Sequence, residues 1–74
     1  MLKEYKTVSE IAGPLMLVEG VDDVKYGHIV DIELADGSIR HGQILQVEGK
    51  NVLVQVFEGT EGINTSGTTV RFLG

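Results

Sequence analysis

Four titratable side chains near the middle of the chain are the best candidates for chemistry. They are His28, Asp31, Glu33 and His41, and imidazole nitrogens and carboxylate oxygens are both ligands that zinc accepts. Side chains alternate along an extended segment, which puts His28 on the opposite face from Asp31 and Glu33. The groups therefore cannot converge on one ion without distortion. We predict no metal site, and we expect both histidines to be hydrogen-bonded surface groups.

Other arrangements typical of enzymes are incomplete. The Asp-Gly-Ser run at 36–38 has the letters of an acid-protease loop in the wrong order, and a hairpin turn explains it better. The carboxylates at 19–23 lack the spaced oxygen ligands of a calcium loop. Neither nucleotide-binding fingerprint is present, no catalytic partner is evident for any serine, and there are no cysteines. We predict no catalytic residue, no cofactor and no enzymatic activity.

Charge and hydrophobicity limit the partners that the chain can have. Its 74 residues suit one domain, and their formal net charge of −5 repels phosphate backbones. Hydrophobic residues make up 42% of the chain, which is high for so small an interior, so we expect some apolar surface to face a partner. The longest apolar run, at 15–18, is far too short to cross a bilayer.

A β-hairpin predicted at 42–59 organises the rest of the chain. Glycine, lysine and asparagine form its turn, and a β-branched run with a period of two follows. Leu53 and Phe57 alternate with the valines, so this second strand is apolar on both faces. Ile44 and Leu45 are adjacent apolar residues in the first strand, which indicates either a bulge or a strand covered on both sides.

The hairpin pattern occurs twice. Two halves, at about 5–37 and 42–74, repeat a unit of strand, turn, strand, loop and strand. Such a half cannot bury its apolar face alone, so we expect the halves to interlock about a pseudo-twofold axis. The matched segments are 7–13 with 43–49 and 17–20 with 56–59.

The strand pattern predicts the fold. Asp36 and Gly37 are typical of a two-residue type I′ turn, which would pair Leu34 with Ile39. We predict a single all-β domain over 1–74, a small closed six-stranded Greek-key barrel with a pseudo-twofold internal repeat. The predicted core consists of Val8, Ile11, Leu17, Val30, Ile32, Leu34, Ile39, Val47, Val52, Val54, Val56, Val70 and Phe72.

Six segments of the sequence together are typical of a known protein family: 4–8, 11–15, 18–21, 42–45, 54–60 and 69–72. Through them, and over essentially its whole length, the chain resembles the N-terminal β-barrel of the B subunit of archaeal-type (A-type) and vacuolar-type rotary ATPases. Phe-Glu-Gly-Thr at 57–60 and Val-Arg-Phe at 70–72 look more like the B type than the related barrel of the A subunit.

The resemblance implies an isolated N-terminal domain of a longer subunit. In that family, alternating A and B barrels form a crown that holds the hexameric head together, while ATP binds in the following domain. It therefore implies a structural module in proton- or sodium-coupled ATP synthesis, with the neighbouring A and B barrels as partners. It also implies a cytoplasmic location, peripheral to the membrane and without direct membrane contact.

The surplus apolar residues predict where a partner binds. Leu53 and Phe57, with Ile44 as a further candidate, form the predicted interface. Without its natural neighbours, the domain is expected to pair weakly with itself through them.

The alternative from another class is a small SH3-like or KOW-like barrel that binds nucleic acid. A basic surface would then be needed, and only Arg40, Lys50 and Arg71 are candidates, with Glu48 and Glu58 close by in sequence. A purely structural hairpin is favoured, and no nucleic-acid partner is predicted.

Overall fold

The computed structural model describes residues 3–73, which form seven β-strands joined by turns and loops. This confirms the predicted all-β class. The strands are β1 (Lys3–Tyr5), β2 (Val8–Ala12), β3 (Leu15–Val18), β4 (Ile29–Glu33), β5 (Ile39–Glu48), β6 (Asn51–Val56) and β7 (Thr69–Phe72).

The strands form one curled antiparallel sheet in the order β1-β7-β4-β5-β6-β3-β2. The two outermost strands, β1 and β2, are consecutive in the chain, and only Lys6 and Thr7 separate them. The sheet therefore curls so that the end of β1 and the start of β2 lie close together at this link. The prediction counted six strands because it took the first segment as one, whereas within residues 3–73 it is broken into β1 and β2.

The β2–β3 and β5–β6 hairpins repeat each other in detail. Each has a bulge in its first strand, at Ser9 in β2 and at Leu45 in β5. Each turn begins with a glycine at positive φ, 59° at Gly13 and 61° at Gly49, where a side chain would be strained. Both the bulges and the glycines lie 36 residues apart, so the predicted internal repeat holds at the level of backbone geometry.

Each half is hydrogen-bonded to the other. The carbonyl of Pro14, in the first turn, accepts a bond of 2.9 Å from the amide of Val56. The carbonyl of Lys50, in the second turn, accepts one of 2.8 Å from the amide of Val21. Strand pairs β3–β6 and β4–β7 also join the halves. Neither half can close its own sheet, which is the physical reason for the interlocked arrangement.

The core lies inside the curl. Period-two alternation correctly predicted the inward positions of β4, β6 and β7, and Val8 of β2 is buried as well. Ile11 is only partly buried but packs against this core. Two loop residues, Val21 and Ile63, anchor the long connections to it. The buried hydrophobic residues are Val8, Met16, Val18, Val21, Val30, Ile32, Leu34, Ile44, Val52, Val54, Val56, Ile63, Val70 and Phe72.

The prediction for the turn before β5 was wrong by one residue. The amide of Leu34 donates to the carbonyl of Ser38 at 2.8 Å, so the loop has three residues, and Ile39 pairs with Glu33 instead. A shift of one residue reverses the face, and Ile39 is therefore 43% exposed. Asp36 stabilises this longer loop, because its carboxylate accepts a hydrogen bond of 2.9 Å from the amide of Ser38.

Two other predicted core residues do not lie in the core. Val47 pairs with buried Val52 but lies next to the turn, at the open end of the curl, where it is 40% exposed. Leu17 faces outward and is only half-buried, while Met16 and Val18 on either side of it are buried. All four residues of β3 are apolar, so the sequence pattern does not show which pair faces inward.

Gly42 lies where β5 pairs with both neighbours at once. It is opposite Val30 of β4 and Val56 of β6. A Cβ atom at this position would lie 2.4 Å from the carbonyl oxygen of Gln55, well inside van der Waals contact. The close approach of two backbones at the point where β5 passes from β4 to β6 therefore requires glycine.

Candidate interaction surface

The outer side of β2, β3, β6 and the second half of β5 has an apolar centre. Leu17 and Leu53 lie directly opposite each other on β3 and β6, and both are half-buried. At the spacing of 36 residues that relates the hairpins, each is the counterpart of the other, so the pseudo-twofold axis passes between them. We call this surface the leucine face, defined by Glu10, Ala12, Leu15, Leu17, Gln46, Glu48, Asn51 and Leu53.

Two shallow depressions flank the leucine pair. They are related by the same repeat but differ in chemistry. One is mainly apolar, whereas the other, which we call the polar depression, is lined equally by polar and apolar surface. The apolar depression has a volume of about 190 Å³ and is lined by Glu10, Ala12, Leu15, Leu17 and Leu53. The polar depression has a volume of about 200 Å³ and is lined by Leu17, Gln46, Glu48, Asn51 and Leu53.

The predicted interface residues lie in different environments. Leu53 faces outward at the centre of the leucine face, and Phe57, just beyond the end of β6, is 54% exposed. Ile44 is 0% exposed, so its placement on the outer surface was wrong. The bulge at Leu45 explains the error, because the extra residue lets Ile44 face inward opposite Val54.

The sequence interpretation missed Leu17, which lies beside Leu53 at the apolar centre of this surface. Matching 17–20 with 56–59 placed Leu17 alongside Val56, which is buried. Continuing the spacing of the two turn glycines, Gly13 and Gly49, would have aligned Leu17 with Leu53 instead. The spacing of the turn glycines was therefore the feature of the sequence that could have placed Leu17 on the outer surface.

The outer side of β1, β7, β4 and the first half of β5 has a different composition. We call it the ion-pair face, defined by Glu4, Asp31, Glu33, His41 and Arg71. Strand register places Glu4, Arg71, Asp31 and His41 in one row across four neighbouring strands, with alternating sign when His41 is protonated. Arg71 is paired with Glu4, and its Nη2 also lies 2.6 Å from a carboxylate oxygen of Glu33.

His41 connects this row to the end of β6. Its backbone amide donates to Glu58 at 2.8 Å, and its Nδ1–H donates to the other carboxylate oxygen at 2.9 Å. Its Nε2 lies 3.8 Å from Asp31. The hydrogen bond to Glu58 is the main reason that the pKa of His41 is raised, and the two bonds from His41 lower the pKa of Glu58.

The side chains first considered for a metal site do not come together. His41 lies opposite Asp31 and is a hydrogen-bonded surface group, as predicted. The same prediction was wrong for His28, which precedes β4 and whose Nδ1 is buried with no hydrogen-bond partner among residues 3–73. Among residues 3–73, no group of three or more histidine, cysteine or carboxylate side chains is arranged to hold a metal ion. In the same range, no helix is long and apolar enough to cross a membrane.

The sequence that folds into this curled β-sheet matches a known protein family. The family model for the β-barrel domain of the ATP synthase alpha/beta family matches residues 8–74. The chain belongs to the ATP synthase alpha/beta family. Within this family it is similar to the B subunit of the A-type ATP synthase of Methanopyrus kandleri, with 53% identity over 72 residues, or 97% of the chain. These findings confirm the resemblance to the N-terminal barrel of an A-type B subunit.

The family relationship covers only part of the relative. The chain spans 7% of the length of the Methanopyrus kandleri protein. The family domain is the β-barrel, and the leucine face and the ion-pair face are both outer surfaces of that barrel.

Proposed function

We propose that the domain is a structural and assembly module of the B subunit of a rotary ATP synthase. In this proposal it binds the barrels of neighbouring A and B subunits in a crown that holds the hexameric head together during proton- or sodium-coupled ATP synthesis. The domain itself is non-catalytic and lies in the cytoplasm, peripheral to the membrane. The 53% identity to the B subunit of an A-type ATP synthase is the observation that carries the proposal.

The proposal includes a more specific description of the barrel. We infer that β1 and β2 act as one bent strand, so that the curled sheet is a closed six-stranded Greek-key barrel. The two-residue link between them supports this, as do the hydrogen bonds of β1 to β7 and of β2 to β3. A closed barrel leaves little free sheet edge for pairing, so contacts with neighbours would use side chains on its outer surface.

The leucine face, together with Phe57, is the proposed contact surface. Leu53 and Leu17 form an apolar centre that is still partly exposed within residues 3–73, and the strands that carry them are hydrogen-bonded parts of the barrel wall. Fully burying an exposed leucine contributes about 1.5–3 kcal/mol. Leu17 and Leu53 are already half-buried, so each can contribute only part of this to association, against the entropic cost of binding. The isolated domain should accordingly pair weakly with itself through this surface.

Analytical ultracentrifugation of the wild type beside Leu53→Lys tests the contact surface. The wild type should form a weak dimer at millimolar concentration, and the lysine variant should remain monomeric because a charge then occupies the apolar centre. Gln55→Lys is the matched control, since Gln55 also faces outward on β6 but does not line either depression. A strictly monomeric wild type, or unfolding of Leu53→Lys, would show that this surface has been assigned wrongly.

A second test asks whether the leucine face is needed for assembly of the whole enzyme. The same two substitutions can be placed in a full-length B subunit that is then mixed with its A subunit. The yield of hexameric heads on a sizing column should fall for Leu53→Lys and should stay at the wild-type level for Gln55→Lys. Equal yields for the two variants would contradict a role of the leucine face in assembly.

A further inference from the structure

The rim of the leucine face carries negative charge only. Each depression has one carboxylate in its lining, Glu10 in the apolar one and Glu48 in the polar one. The other polar residues of the surface are uncharged amides, and the eight residues that define it include no lysine or arginine. The nearest cation in the sequence, Lys50, lies in the turn and is paired with Asp22 at 3.3 Å. The surface therefore offers an apolar centre with an unbalanced acidic rim.

The charges of the leucine face make a second copy of this chain a poor binding partner for it. Glu10 and Glu48 lie on opposite sides of the leucine pair, since Glu10 is on β2 and Glu48 is on β5. Suppose that two copies meet face to face with their leucine pairs in contact. Rotating one copy about the line through the two contacting leucine pairs only changes which acidic rim of that copy faces a given rim of the other. No rotation brings a cation of one copy against a carboxylate of the other, and like charges that face each other weaken an interface.

We infer that the leucine face selects a protein partner with an apolar centre and a lysine- or arginine-bearing rim, and discriminates against a second copy of this chain. This inference rests on the proposed assembly function and adds the chemistry of the partner. Charge complementarity carries it. Glu48 accepts a hydrogen bond of 3.3 Å from Gln46, but neither Glu10 nor Glu48 forms an ion pair within residues 3–73. A basic rim is the chemistry that balances two such carboxylates around an apolar contact. In a ring of two kinds of subunit, such a rim would favour contacts between unlike barrels over contacts between like ones.

A charge-reversed copy of the chain can act as a basic partner of known structure. In Glu10→Lys, the rim of the apolar depression becomes positive, while the leucine pair is unchanged. Labelled wild-type domain is titrated with this variant and followed by fluorescence-detected sedimentation. We expect the mixed pair to form at about tenfold lower concentration than the wild-type pair, because an attraction replaces a repulsion at the rim. Added salt should weaken the mixed pair and strengthen the wild-type pair.

Glu61→Lys provides a matched control. It makes the same change in net charge at an exposed loop residue that lines neither depression. This variant should bind the wild type far less tightly than Glu10→Lys does. Thermal melts of both variants check folding, and Glu48→Lys repeats the test at the other rim if Glu10→Lys does not fold.

The outcomes distinguish a failure of the partner selection by charge from a failure of the assembly surface itself. If Glu10→Lys and Glu61→Lys bind the wild type equally, the partner selection by charge is wrong, although association through Leu53 can stand. If adding Leu53→Lys to either component leaves the mixed pair intact, the leucine face is not the contact surface. Both the inference and the proposed assembly surface then fail.

Discussion

The leucine face and the ion-pair face are built on the same backbone plan but use it in opposite ways. The pseudo-twofold axis passes between Leu17 and Leu53 on one side of the barrel. On the other side, Asp31 and Arg71 lie directly opposite each other on β4 and β7. The charges on the second surface are paired with each other, whereas within residues 3–73 the two carboxylates of the first surface, Glu10 and Glu48, form no ion pair. The difference indicates that one surface is complete in the isolated domain and the other is not.

The difference also shows why folding and assembly can be separated in this domain. Both surfaces lie outside the same core, so a change in outward side chains can alter binding without removing core packing. The four predictions that follow test this separation, beginning with a change to the backbone frame that both surfaces share.

Gly42→Ala should have the largest effect, because it disturbs both surfaces at once. The added methyl group would meet the carbonyl oxygen of Gln55, so β5 could not pair closely with β4 and β6 together. We expect a loss of about 2–3 kcal/mol in the free energy of unfolding, measured by denaturant titration. Gln43→Ala, at the next and outward-facing residue, is the control and should cost much less. Similar losses for the two variants would contradict the close approach at Gly42.

Val54→Ala and Leu53→Ala compare the inside and the outside of one strand. Val54 is completely buried, and its truncation should cost about 1–3 kcal/mol of unfolding free energy. Leu53 is half-buried on the leucine face, and its truncation should cost under about 1 kcal/mol while weakening self-association. Denaturant melts and sedimentation on the same samples measure both effects. If Leu53→Ala lost more stability than Val54→Ala, the inward and outward faces of β6 would have been assigned the wrong way round.

Arg71→Gln should affect the ion-pair face alone. It removes the pairs with Glu4 and Glu33 that link β7 to β1 and β4. Because these charges are accessible to solvent, the fall in melting temperature should be smaller than that of Val54→Ala and should shrink as salt is added. Self-association through the leucine face should be unchanged. A marked change in association would show that the two surfaces are coupled.

The smallest effect concerns the pH dependence of stability, through His41 and Glu58. The raised pKa of His41 stabilises the fold below its ordinary value of 6.5, and this contribution is lost as the pH rises through the raised pKa. The lowered pKa of Glu58 stabilises the fold above its ordinary value of 4.5, and this contribution is lost as the pH falls through the lowered pKa. Both contributions are present between those two values.

Thermal melts of the wild type and His41→Gln across the pH range measure this effect. The stability advantage of the wild type should be largest between the ordinary values of 4.5 and 6.5, and it should decline on either side. An advantage that is constant with pH would exclude the titration of this pair as its cause. Substituting His41 should not change the self-association of the domain in this pH range, since neither His41 nor Glu58 belongs to the leucine face.

Much of the fold could be predicted from local pattern, but the register could not. Alternation of apolar residues identified the inward positions of β6, because valines and polar or larger residues alternate there. The same rule could not decide the orientation of β3, where all four residues are apolar. It also could not distinguish a two-residue turn from the three-residue loop before β5, and that one residue moved Ile39 to the outside.

The candidate surfaces depended on information that is not local. Leu53 and Phe57 could be placed outside the barrel from β6 alone, but Ile44 could not, because the bulge at Leu45 depends on how β5 meets β6. The row of charges on the ion-pair face could not be predicted either. Asp31 and His41 become neighbours only through the register of β4 and β5, which no single-strand pattern fixes.

The pairing of the first strand with the last has a mechanical consequence. Lys3 lies opposite Phe72, so the two ends of the described chain leave the sheet side by side. A force that pulls these ends apart would load the hydrogen bonds between β1 and β7 one after another, as in opening a zipper, because those bonds run across the strands. The interior strands are held on both sides and would bear the load later. Under tension, the domain would therefore lose β1 first, at low force, and keep the rest of its sheet.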